Sequence, residues 1–87
     1  MRYLVIERFH DAPAIYQRLR ERGRMMPDGL SYVESWIAED LERCFQLVET
    51  DDPALFAAWI ERWDDLMDFE VVPVVSSAEA SARALGE

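Results

Sequence analysis

The chain has no lysine, one cysteine, one histidine and three glycines among its 87 residues. Each scarcity excludes something. The single cysteine, Cys44, rules out an intramolecular disulfide and any cysteine-based metal cluster. With His10 as the sole histidine, a metal site would have to be carboxylate-rich, and no ligand spacing suggests one. Gly23 and Gly29 read as a helix-end residue and a turn residue, with no phosphate-binding pattern around them. All nine basic residues are arginine, a bias that GC-rich codon usage explains without chemistry. No apolar run approaches the roughly 20 residues that span a bilayer. Met1-Arg2-Tyr3 leads straight into a strand pattern rather than a basic n-region and apolar h-region. A cytoplasmic protein without a membrane partner is the expectation.

Positive charge is scarce as well. The net charge is −9, which argues against nucleic acid as a partner because phosphate contacts need a basic surface. Six arginines against three carboxylates make the first 24 residues about +3, and the remainder is about −12. That asymmetry can steer an anionic ligand or a second subunit toward the first helix, or be a solvated arginine face.

What is abundant is apolar surface. Apolar residues make up 51% of the chain, with three Trp, four Phe and three Tyr. A lone domain of this length buries only roughly 60–65% of its unfolded surface, so association is the usual way to cover the excess. Residues 1–87 leave room for one domain and one core.

The periodicities alternate along the chain. RYLVIERF, residues 2–9, reads as a strand. Asp11 offers a cap and Pro13 sits in a first helical turn; Ala12, Ile15, Tyr16, Leu19, Gly23 and Met26 then predict a helix over about 12–25. Met26-Pro27-Asp28-Gly29 turns the chain. Residues 30–38 and 43–50 read as two strands whose acidic link is too short for a parallel crossover. Asp51 or Asp52, then Pro53, open a second helix with a stripe of Leu55, Phe56, Trp59, Ile60, Trp63, Leu66 and Met67. FEVVPVV, residues 69–75, is a strand that Pro73 confines to an edge, and a Ser76–Glu79 capping box opens a tail helix over 77–85. The order β-α-β-β-α-β is the ferredoxin-like arrangement, an α+β fold with a four-stranded antiparallel sheet in order 4-1-3-2.

These strands alternate poorly. Simple alternation sets Leu4 and Ile6 opposite Tyr3, Val5 and Phe9, and Val33 and Ile37 opposite Tyr32 and Trp36. Both sheet faces ask for burial, which predicts a homodimer formed through the sheet face that the helices leave open.

VIERF near the start, YxRxRxRGRMxPxGL from Tyr16 to Leu30, YVxSW from Tyr32 to Trp36 and RCFQLVETDDPALFxxWIxRWxDLxDFEVVPV resemble a bacterial family of small single-domain proteins of unknown function. That family looks like a branch of the dimeric α+β barrel superfamily, which includes antibiotic-biosynthesis monooxygenases, haem-degrading monooxygenases and stress-responsive barrel proteins. The resemblance implies a homodimeric barrel. It carries no catalytic residue onto this chain.

Each strand places one polar group amid apolar neighbours: Glu7, Glu34, Gln46 and Glu70. Burying a carboxylate costs several kcal/mol unless it is paired, so these positions are candidates for a site. Glu7, Glu34 and His10 are the candidate catalytic groups, a raised carboxylate serving as general base on an acidic C–H or O–H. Tyr32, Trp36, Gln46 and Trp59 are the candidate ligand contacts. The competing reading pairs the acids with Arg2, Arg8 or Arg43, makes His10 a surface residue, and assigns Trp59 and Trp63 to the core. Cys44 reads as a small buried hydrophobe. Two function classes remain: binding of a small hydrophobic or aromatic molecule, with cofactor-independent monooxygenation or isomerisation, and a non-catalytic dimer that senses a ligand or docks a protein. Neither calls for a cofactor.

Overall fold

In the computed structural model, which covers residues 1–87, β1 (Arg2–Phe9) is the hub. It pairs antiparallel with β3 (Arg43–Glu49) on one side and β4 (Met67–Val74) on the other, and β2 (Ser31–Ile37) pairs with β3. The sheet order is β2-β3-β1-β4, the expected ferredoxin-like order, with Pro73 on an edge strand. Helices α1 (Ala12–Arg22) and α2 (Leu55–Glu61) supply Ile15, Phe56 and Trp59 to a core that also takes Tyr3, Val5 and Val48 from the sheet. A third helix, α3 (Ser77–Ala84), follows β4.

Local chemistry sets the ends of these elements. The Asp11 carboxylate accepts the Ala14 N–H at 3.1 Å, and the Ser76 hydroxyl accepts the Glu79 N–H at 3.1 Å, so two of the three expected caps form. Gly23, at φ 67°, takes the left-handed conformation and stops α1 at Arg22, short of the expected residue 25. Helix α2 begins at Leu55 without a side-chain cap, because Asp52 instead closes a turn by accepting the Ala54 N–H at 3.1 Å. Its apolar stripe outlasts it. The β1–β4 ladder extends to Phe9 and Met67, and the His10 N–H donates to the Leu66 carbonyl at 2.8 Å, so residues 62–66 leave the helix as turns. Arg18 grips that segment from α1, donating to both Asp65 carboxylate oxygens at 2.8 and 2.7 Å.

Strand β2 departs from simple alternation. Tyr32 pairs with Val48, but Glu34 pairs with Leu47, leaving Val33 as an extra residue in a β-bulge. The bulge puts Tyr32 on the same face as Ser35 and Ile37, and Glu34 with Trp36 on the other. The expected opposition of Tyr32 to Ile37 is thereby corrected.

The two sheet faces differ. Tyr3, Val5, Glu7, Cys44, Gln46 and Val48 are buried beneath the helices, with Tyr3 edge-on to Phe56 at 5.1 Å. On the other face Val72, Leu4, Leu47 and Glu34 form one cross-strand row and Glu70, Ile6, Phe45 and Trp36 the next. Trp36 is 55% exposed there. Helix α3 reaches only one end of this face, where Glu79 and Arg83 lie by Leu47 and Val74.

Candidate functional site

Four strands and two helices leave a cavity of about 250 Å³ between the sheet and the helical layer. Its floor carries the polar groups of the buried face: Glu7 from β1, Cys44 and Gln46 from β3, and Ser35 from β2. Phe9, Tyr16, Trp59 and Trp63 supply aromatic walls. Arg24, from the turn after α1, completes the lining.

Glu7 is the chemically distinctive group. It is 6% exposed, and burial pushes its carboxyl up to about 7, against a hydrogen bond from the Cys44 thiol and the charge of Arg24, which pull it down. Near neutrality the group therefore exchanges a proton readily in either direction. Its neighbours do not. Burial, together with the facing Glu7 carboxylate, pushes the Cys44 thiol up to about 12, so it remains a proton donor rather than a nucleophile. Burial also raises the Tyr16 phenol, with Cys44 and Glu7 acting in the same direction.

Arg24 is held by a network that begins in its own backbone. Both indole N–H groups of Trp59 and Trp63 donate to the Arg24 carbonyl, each at 2.9 Å. Arg62 donates to the next carbonyl, that of Met25, whose φ is 56°. The turn is thus fastened to α2 and the residues after it by three side-chain donors. The Arg24 guanidinium then lies 3.9 Å over the Tyr32 ring, donates from Nε to the Gln46 Oε1 at 2.9 Å and reaches the Ser35 hydroxyl at 3.4 Å. Tyr32 in turn pairs with Ser35 at 2.8 Å.

Two donors sharing one acceptor predict non-additive substitutions. Trp59→Phe or Trp63→Phe alone leaves the Arg24 carbonyl one partner, whereas the double change leaves it none. The double variant is expected to lose about 1 kcal/mol more in urea unfolding than the two singles combined. Additive losses would show that the shared carbonyl contributes nothing.

The candidates named from sequence separate accordingly. Glu7, Gln46 and Trp59 line the cavity, and Tyr32 adjoins it through Arg24 and Ser35. Glu34 and Trp36 lie on the opposite sheet face, with the Glu34 carboxylate accepting the Ser35 N–H at 3.1 Å. His10 lies outside the cavity on the surface, 3.1 Å from the Asp68 carboxylate. The four mid-strand polar groups therefore do not converge: Glu7 and Gln46 face the helices, Glu34 and Glu70 the other way. Arg24, Ser35 and Tyr16 were not singled out by the sequence pattern, and Arg24 does not belong to a solvated helix face.

The architecture is thus that of a small α+β domain with a polar-floored, aromatic-walled cavity. A family profile described as a domain of unknown function, DUF3303, matches residues 1–86, and the chain belongs to that family. No curated protein and no solved structure matches the chain.

Proposed function

We propose that the chain is a homodimeric α+β barrel protein whose cavity binds a small, largely hydrophobic ring compound, with Glu7 as a general base. The observation that carries this reading is a buried carboxyl brought to about 7 inside an aromatic-walled cavity of about 250 Å³. The proton-loaded Cys44 and Tyr16 leave Glu7 as the one group in the cavity that takes a proton at ordinary pH. Chemistry with a single base fits proton abstraction from an acidic C–H and return of the proton to another carbon, an isomerisation that needs no co-reactant. Attack of the same carbanion on dioxygen would give a hydroperoxide, and loss of water from it, leaving one oxygen as a carbonyl, would make the net reaction a monooxygenation.

Native mass spectrometry of gently purified protein tests the binding step. A species of twice the chain mass carrying a reproducible extra mass is expected. Incubating that complex in D₂O tests the chemistry, since the ligand's acidic C–H should exchange in the wild type and not in Glu7→Gln. Equal exchange in the variant would exclude Glu7 as the base. Bare protein, together with indole N–H signals of Trp59 and Trp63 unmoved by ring compounds, would overturn the cavity reading itself.

A further inference from the structure

Arg24 is a half-buried cation that makes no ion pair, although Glu7 in the same cavity feels its charge. The four ion pairs in the structure are Met1–Asp51, Arg2–Glu49, His10–Asp68 and Arg18–Asp65, and Arg24 is in none of them. This is unexpected in a chain with 18 carboxylates and nine arginines, because removing a guanidinium from water without a counter-charge is costly. The groups its guanidinium touches, Gln46, Ser35 and the Tyr32 ring, are all neutral, and Glu7 acts on it only through the cavity, without a hydrogen bond. They orient the group and use at most two of its five N–H donors. The remainder form a planar fork suited to two oxygens in one plane. Because the indoles of Trp59 and Trp63 hold the carbonyl of the same residue, the fork is positioned before any ligand arrives.

We infer that the cavity's ligand carries a carboxylate that Arg24 receives, so that its class is a small, single-ring or similarly sized unsaturated acid. This rests on the reading of the cavity as a small-molecule site. Size supports it. A dry cavity of about 150 Å³ suffices for benzene, so about 250 Å³ takes one ring and a carboxylate. The aromatic walls suit the ring, and the arginine beside the polar floor suits the acid.

The pairing also gives Arg24 a part in the chemistry. When a C–H conjugated with the carboxylate breaks, the proton passes to Glu7 and the electron pair spreads into the carboxylate oxygens. The second negative charge then accumulates where the guanidinium already sits. The step is redox-neutral, and returning the proton to another carbon completes an isomerisation.

Benzoate and its uncharged counterpart benzamide separate the two layers of the argument. Each is titrated into ¹⁵N-labelled protein while the indole N–H signals of Trp59 and Trp63 are followed. Benzoate is expected to bind at least about tenfold more tightly than benzamide, corresponding to about 1.4 kcal/mol. In Arg24→Gln the preference should vanish while benzamide affinity stays within about twofold, and Arg24→Lys, which keeps the charge but not the fork, should fall between. Equal binding of the two probes to the wild type overturns the anion anchor and leaves the cavity reading standing. Indole signals unmoved by either probe overturn both. The wild-type comparison decides the matter even where a substitution at Arg24 disturbs folding.

Discussion

Glu7→Gln is expected to make the protein more stable above pH 7 and to leave its stability near pH 4.5 almost unchanged. The sign follows from the shift. Burial raises the Glu7 carboxyl from 4.5 to about 7, so between those values the folded chain keeps a proton that the unfolded chain releases. The stability associated with neutral Glu7 is fully present below pH 4.5 and declines as pH rises, until above about 7 the folded chain holds a buried carboxylate. At 1.36 kcal/mol per unit the difference between the two ends is about 3 kcal/mol, which Gln, neutral at every pH, does not incur. The groups facing Glu7 are Cys44, Tyr16 and Arg24; burial raises both the thiol and the phenol, so neither titrates in this window. Asp65 acts with the opposite sign, being lowered by its hydrogen bond from Arg18, but it is common to both proteins and cancels. Urea unfolding at matched protein concentration, at pH 4.5, 6 and 8, should show the gap between variant and wild type opening with pH. A gap that stays constant would mean that Glu7 ionises as freely in the folded chain as in water. Functionally, the same substitution removes the base. A residue whose replacement stabilises the fold while silencing the site is characteristic of a group retained for chemistry rather than structure.

Much of this architecture was legible because burial imposes periods on a sequence. Two apolar stripes at helical spacing and four β-rich runs fixed the element order, and Pro73 pointed correctly to an edge strand. The site was legible only in part, for reasons that lie in geometry rather than composition. Glu7, Gln46, Glu34 and Glu70 look alike in sequence, each a polar residue in an apolar strand. Cross-strand register alone decides which pair faces the helices, and the Val33 bulge shifts β2 by one residue. Arg24 was hidden differently. It follows an arginine-rich helix and continues its charge pattern, and only the left-handed turn at Gly23 and Met25 brings it to the sheet. The nearest sequence signal was in the partners. Two tryptophans four apart on a buried stripe have two N–H groups that require acceptors, and the helix's own carbonyls are already committed. That requirement implies an outside carbonyl without identifying it as that of Arg24.

Ile6→Asp is expected to turn the proposed dimer into a monomer without disturbing the cavity. Ile6 lies near the middle of the sheet face away from α1 and α2, between Glu70 and Phe45 in a row that ends at Trp36. Leu4, Leu47, Val72 and Val74 extend that surface. A standard specific interface takes about 800 Å² from each partner, roughly one-seventh of the 5840 Å² accessible on this chain. Charge at the rim suits a second copy rather than a different protein. Arg8 and Arg43 lie toward one end and Glu34 and Glu70 near opposite edges, and none of the four has an intramolecular ion-pair partner. A two-fold axis through the face would give each such group a partner surface carrying both signs. In sedimentation at micromolar concentration the wild type should run at twice the chain mass and Ile6→Asp at the chain mass. Trp36, 55% exposed in the single chain, should be shielded from acrylamide quenching only in the wild type. The indole N–H signals of Trp59 and Trp63, on the helical side, should coincide in the two proteins. A wild type that runs as a monomer, with Trp36 fully quenched, would remove the dimer and with it the closed barrel. The cavity around Glu7 and Arg24 would still stand, because every residue that builds it comes from a single chain.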